Sequence, residues 1–181
     1  MGASNSVYAA HENELTGIWH QYIQDERYNL LDLQCLMAVS RDVRNLGRGV
    51  LNARVGSVLG RFVPENDDIG LIQHMLREHR SYIGGSAAFS VVVPEFFEDL
   101  PPRNLNLFVP FDCCEAWRSF FAARGYILSK HRLDSTPIWA MDSFWVCIRP
   151  GLPGPVTLSV SVDTVAMSSA RILVWPFSHG G

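Results

Sequence analysis

The chain has 181 residues, of which 48% are hydrophobic and 18% are charged, so it is long enough to bury a core and too apolar for a disordered protein. Its net charge of −3 gives no field that would hold a phosphate backbone non-specifically, which argues against general nucleic-acid affinity. No stretch reaches the roughly 18 apolar residues of a membrane span and no secretory signal pattern is present, so we expect a cytoplasmic or nuclear protein.

The first residues predict a disordered tail over 1–14. They also match the pattern Met-Gly-x-x-x-Ser, in which Gly2 would be myristoylated once Met1 is removed. No Lys or Arg lies between Val7 and Glu14 to add the electrostatic attraction that stable anchoring needs. Membrane association is therefore expected only if Gly2 is acylated.

Apolar residues at helical spacing predict a helical region over residues 15–80. One apolar stripe covers 41–62, with Ser40 as its N-cap, and its glycines leave open whether it forms one helix or two. Asp67 or Asp68 is placed to cap a further helix. Five arginines in the 41–62 stretch are spread around the helix without aromatic partners, which favours a solvated surface over a nucleic-acid interface.

The pattern changes after residue 80 and predicts an α/β region over 81–181, which shares one continuous core with the helices before it. A strand at Tyr82-Ile83 leads through Gly-Gly-Ser into a short helix that Pro94 closes. Residues 104–109 alternate polar and apolar side chains, as a half-buried strand does.

A second helix is predicted between an Asp112/Glu115 capping box and the stop signal Gly125. Its buried face carries Trp117 and Phe121. Further strands are expected over residues 126–130, 138–148, 156–162 and 171–175. The fold class is therefore α/β, with a mixed sheet preceded by a helical region.

The four cysteines form no Cys-x-x-Cys pair and no framework typical of a small secreted domain, so reduced thiols are expected. Cys113 and Cys114 are adjacent in a predicted helix and point in different directions, which argues against a shared metal site or a vicinal disulfide.

The order strand, Gly84-Gly85-Ser86, helix, and then a strand containing Asn104-Leu105-Asn106 resembles the nucleotidyltransferase superfamily. Residues 83–177 are similar to a group of nucleotidyltransferase-like proteins of mushroom-forming fungi, which read Gly-Ser, then Asp-Leu-Asp, then Gly-Tyr. The resemblance implies that Gly84, Gly85 and Ser86 hold nucleotide phosphates through backbone N–H groups.

The departures from that family bear on catalysis. Asn104 and Asn106 stand where the resemblance implies two metal-binding aspartates, and Ser161 aligns with the third acid. Neutral amide and hydroxyl oxygens hold paired Mg²⁺ poorly, so two-metal phosphoryl transfer would lose its charge neutralisation. We expect no catalytic residues and no cofactor, although a nucleotide or Mg²⁺ ligand stays open.

Three functions remain open at this stage. The first is a catalytically degenerate nucleotidyltransferase-like binding module with an unknown protein or nucleotide ligand. The second is an active transferase with a rearranged metal site, in which Asp163 or the loop acids Glu95, Glu98 and Asp99 replace the lost carboxylates. The third is an adaptor that binds proteins through its N-terminal helices. The sequence has no Walker A loop, nucleophile elbow or zinc-protease motif that would indicate another enzyme class.

Overall fold

A computed structural model describes residues 28–63, 65–132 and 141–161 of the chain. Its helices are α1 (Leu30–Met37), α2 (Arg41–Gly60), α3 (Asn66–Glu78), α4 (Gly85–Val92) and α5 (Cys114–Ala123), with short 3-10 helices at Pro94–Phe97 and Phe111–Cys113. The strands are β1 (Tyr82–Gly84), β2 (Leu105–Pro110), β3 (Ile127–Arg132), β4 (Met141–Ile148) and β5 (Val156–Ser161). Tail residues 1–14, the strand expected at 171–175, Gly2 and Asp163 lie outside this part of the chain.

The described residues fall into two compact units. The first contains the described residues up to Val55 together with Ser90–Pro101, and the second contains Gly56–Phe89 and the described residues from Pro102 onward. The whole sheet belongs to the second unit. None of the helices within the described ranges is long and apolar enough to cross a membrane.

The first unit contains α1 and most of α2. Asn29 caps α1, because its Oδ1 accepts hydrogen bonds from the backbone of Leu31 at 2.9 Å and Asp32 at 3.1 Å. Ser40 is confirmed as the cap of α2, since its hydroxyl accepts from the Val43 backbone N–H at 3.2 Å. The 41–62 stripe forms one helix to Gly60, and its Gly47 admits the Met37 side chain, which a Cβ would meet at 2.5 Å.

The second unit is built on a mixed five-stranded sheet in the order β1-β2-β5-β4-β3. β2 and β5 run parallel, and the other neighbours are antiparallel. The expected α/β class is therefore confirmed. β2 and β5 bury alternate residues on one face of the sheet, at Leu105, Leu107, Val109, Val156, Leu158 and Val160.

Helix α5 lies on the buried face of the sheet. Its Arg118 guanidinium is 4.0 Å from the ring centre of Trp145, which is paired with the buried Leu158 in the sheet. Trp117 and Phe121 are fully buried and stack at 6.1 Å, as the apolar spacing predicts. The Trp117 indole N–H also donates to the Ser81 hydroxyl at 3.0 Å, so its polar atom is satisfied.

Two of the predicted helix starts are wrong. Helix α5 begins after a 3-10 turn with Cys113 at its N-cap, which makes no side-chain cap hydrogen bond to the described residues, so Asp112 and Glu115 form no capping box. Helix α3 begins one residue before Asp67, with Glu65 at its N-cap. Asp68 lies in the first turn of α3, where it is 5% exposed and forms an ion pair with Arg124.

The predicted end of α5 is confirmed. Gly125 has a φ of 76°, and its N–H donates to the Ala122 carbonyl at 3.0 Å. The N–H of Tyr126 donates to the Phe121 carbonyl at 3.1 Å. These two bonds form a Schellman motif, which satisfies carbonyls that the helix end leaves free and turns the chain directly into β3.

Candidate functional site

The Gly84-Gly85-Ser86 motif lies where β1 passes into α4. Gly85 is exposed and has a φ of 65°, a left-handed conformation that costs other residues about 1–2 kcal/mol. The first N–H groups of a helix have no partner within the helix. The turn therefore presents backbone donors at the start of α4, and the resemblance assigns phosphate binding to this position.

Both glycines of the turn are required by close neighbours on β2. A Cβ at Gly84 would lie 2.3 Å from the Phe108 ring, and a Cβ at Gly85 would lie 2.6 Å from Asn106 Nδ2. Gly84 is also the direct strand partner of Asn106. The structure therefore brings together the Gly-Gly turn and Asn106, two motifs that are about 20 residues apart in the sequence.

Asn104, the residue before β2, and Asn106, on β2, form a hydrogen bond with each other. Asn104 Nδ2 donates to Asn106 Oδ1 at 2.7 Å, and both side chains are half-buried. This bond occupies the carbonyl oxygen of Asn106 and leaves its Nδ2 next to Gly85. The pair therefore turns a hydrogen-bond donor toward the turn, whereas a Mg²⁺ site would need acceptor oxygens there.

Ser161 does not lie beside the asparagines. In the parallel β2–β5 ladder Asn106 is paired with Thr157, and Ser161 is paired with Pro110. Four residues separate these two pairs, a distance of roughly 13 Å along a strand. Thr157 is the β5 residue nearest to Asn106, and like Ser161 it carries a neutral hydroxyl.

The next row on the same face of the sheet is aromatic. Tyr82 is paired with Phe108, and Phe144 is paired with His131 on the other side of Ser159. The rings of His131 and Phe144 are stacked, with centroids 5.0 Å apart and planes 9° from parallel. Within this row, the Phe108 ring lies next to the turn, where a Cβ at Gly84 would meet it.

The acids that could replace the lost carboxylates are Asp163 and three acids of the segment after α4. Asp163 lies outside the described residues, and Glu95, Glu98 and Asp99 belong to the first unit. Asp142 is exposed on β4 and accepts a hydrogen bond from the Ser143 hydroxyl at 3.0 Å. Within residues 28–63, 65–132 and 141–161, no three His, Cys, Asp or Glu side chains are grouped to hold a metal ion.

Comparisons with protein-family models, with curated proteins and with solved structures found no match for this chain. The resemblance to nucleotidyltransferases therefore still depends on the motifs in the sequence.

Thr157 and Phe108 are the residues of this site that the sequence does not identify. The run Val156-Thr157-Leu158-Ser159-Val160-Ser161 places three hydroxyl residues on one face by alternation. Only the pairing of β5 with β2 shows that Thr157 is the one opposite Asn106. The spacing of residues within one segment does not predict which distant strands pair.

Proposed function

We propose that this protein is a catalytically degenerate nucleotidyltransferase-like module that binds a phosphate-bearing ligand, such as a nucleotide, without two-metal phosphoryl transfer. The observation that supports this best is the contact between the Gly85 turn and Asn106, in which an amide donor replaces a carboxylate acceptor.

The donors around the turn suit an anion that carries no metal. The backbone N–H groups of the Gly85 turn and the nearby Asn106 amide are hydrogen-bond donors, which favour phosphate oxygens. Carboxylates at the Asn104 and Asn106 positions would repel phosphate unless a cation lay between them. Binding should therefore be independent of Mg²⁺.

Titration of the purified full-length protein with each nucleoside triphosphate, with and without Mg²⁺, tests this proposal. We expect saturable binding that Mg²⁺ does not strengthen, together with no incorporation of nucleotide into an acceptor. Clear Mg²⁺-dependent transfer would instead support the active transferase, in which Asp163 or another acid completes the site. Absence of any nucleotide or phosphate binding would contradict both.

Restoring the acids provides a sharper test of degeneracy. A triple variant with Asn104→Asp, Asn106→Asp and Thr157→Asp should gain Mn²⁺ binding, because three carboxylates would converge beside Gly85. The matched control replaces Thr157→Asp with Ser161→Asp, which adds the same charge four residues farther along β5. Equal Mn²⁺ affinity in both variants would contradict the register argument for Thr157.

The adaptor hypothesis stays a separate prediction. In the first unit, Leu31 and Val39 on and just after α1 are 68% and 62% exposed, which is compatible with a protein contact there. Full-length protein with both residues changed to Ser should keep its nucleotide binding. An adaptor would lose a partner through this change, whereas the degenerate-site function would be unaffected.

A further inference from the structure

A second candidate site lies in the second unit, between the start of α3 and the end of α5. An open cavity of about 510 Å³ is lined by Glu65, Asp68, Ala123, Arg124, Gly125 and Arg149. Its volume is within the range of small-molecule sites. Four of its six lining residues are charged, two with each sign.

Asp68 is the unusual member of this set. Its side chain is 7% exposed, and its Oδ1 accepts a hydrogen bond from Arg124 Nε at 2.5 Å. Its Oδ2 is buried and has no hydrogen-bond partner among the described residues. A buried carboxylate oxygen without a donor costs about 1–3 kcal/mol or more, so a donor that reached Oδ2 would be bound favourably.

The remaining charges indicate what else such a ligand carries. Arg124 is already engaged, since it bonds Asp68, donates to the Phe120 carbonyl at 3.2 Å and covers the Phe120 ring at 3.7 Å. Glu65 and Arg149 form no ion pair with another described residue. Among the described residues, the cavity therefore has an unpaired carboxylate at Glu65 and an unpaired guanidinium at Arg149, and Asp68 adds a buried acceptor oxygen, Oδ2, that has no partner.

We propose that this cavity binds a small zwitterion that carries an ammonium or guanidinium group and a carboxylate, as a free amino acid does. The cationic group would lie against Asp68 Oδ2 and Glu65, and the carboxylate would pair with Arg149. The exposed Glu65 side chain lies at the cavity and can change rotamer as the ligand enters, while Arg124 keeps its bond to Asp68 Oδ1.

The test uses full-length protein and three probes followed by NMR chemical shifts. L-Arginine carries both groups, agmatine lacks the carboxylate, and propionate lacks the cation. We expect L-arginine to bind most tightly, agmatine about tenfold more weakly, and propionate weakest of all. The absence of saturable shifts with L-arginine, or equal affinity for L-arginine and propionate, would overturn the proposal.

Single substitutions test separately the residues that would bind the cationic group and the residue that would bind the carboxylate. Asp68→Asn keeps an oxygen for Arg124 but puts an N–H donor at the Oδ2 position, so L-arginine should bind at least about tenfold more weakly. The matched control is Asp67→Asn, since Asp67 is the exposed neighbour and does not line the cavity. Unchanged affinity in Asp68→Asn would refute the role of Oδ2.

Arg149→Gln covers the case in which the Asp68 variant folds poorly, because Arg149 has no ion pair to lose in the described structure. It should reduce the affinity for L-arginine to that for agmatine and leave agmatine binding unchanged. An equal loss for both probes would contradict the pairing of Arg149 with the carboxylate. Nucleotide binding at the Gly85 turn should not change in any of these variants, which separates this inference from the proposed function.

Discussion

Gly85 combines two separate constraints at a single residue. Its φ of 65° disfavours any side chain, and Asn106 Nδ2 occupies the space where a Cβ would be. The two effects are independent, because the first is local to the backbone and the second arises from a neighbouring strand. The sequence indicates the turn from Gly-Gly, whereas the contact with Asn106 follows only from the pairing of β1 with β2.

Gly85→Ala should therefore destabilise the protein by about 2 kcal/mol or more, from left-handed strain and from displacement of the Asn106 amide. It should also weaken phosphate binding. Gly70→Ala in the interior of α3 is the control, since a Cβ there has nothing within 4 Å. That variant should gain up to about 1 kcal/mol from helix propensity. Urea denaturation measures the free energy of unfolding of both variants. If Gly85→Ala left that free energy unchanged, the described turn would be contradicted.

Because of Tyr126, we expect the folded protein to lose stability in alkaline solution. Burial raises the pKa of its hydroxyl from 10.0 to about 12, and the hydroxyl donates to the Phe62 carbonyl. The folded state thus holds this proton more tightly than the unfolded state does. The contribution is complete below pH 10 and is lost as pH rises toward 12, by about 2–3 kcal/mol in all.

Tyr126→Phe should remove this part of the pH dependence, while costing about 1 kcal/mol at neutral pH for the lost hydrogen bond. Free energies of unfolding for both proteins between pH 8 and about 12 check it. Cys147 titrates in the same range, since burial raises its thiol pKa from 9.0 to about 12, so the difference between the two proteins is the informative quantity. Parallel pH profiles would contradict the role of Tyr126.

At the scale of elements, α3 and α5 are joined by the ion pair between Asp68 and Arg124. Arg124→Met would leave a carboxylate that is 5% exposed without its partner. We expect a loss of about 3–5 kcal/mol, because an unpaired buried charge keeps its desolvation cost. Thermal and urea unfolding of the purified variant give the measurement.

The exposed pair between Arg118 and Glu115 within α5 supplies the control. Glu115 has a 72% exposed side chain, and Glu115→Gln should change stability by less than about 1 kcal/mol. If Arg124→Met and Glu115→Gln reduced the free energy of unfolding by similar amounts, the argument that burial makes the Asp68–Arg124 pair the more important one would be contradicted. The sequence offers Asp67 or Asp68 as a helix cap, since an aspartate at a helix start has the same local pattern whether it caps its own helix or binds a distant arginine.

At the scale of the whole molecule, the reactivity of one cysteine in each unit reports whether that unit is folded. Cys35 is exposed in the first unit, and Cys147 is fully buried in the second. Mass spectrometry after labelling with iodoacetamide at neutral pH should show Cys35 modified in the native protein and Cys147 protected until the second unit unfolds. The thiolate is the reactive form, so the raised pKa of Cys147 adds to its protection. Rapid native labelling of Cys147 would contradict the described core.

Local spacing in the sequence determined the elements of this protein. The apolar stripe of α2, the alternation in β2 and β5, the cap at Ser40 and the stop at Gly125 depend on neighbours within a few residues, so they could be predicted. Tertiary structure decided which elements meet. The pairing of β2 with β5 places Thr157 beside Asn106, and the packing of α3 near the end of α5 places Asp68, one of the two expected caps, in a buried ion pair. These contacts join residues about 50 positions apart, and their energies depend on register and burial that no local pattern encodes.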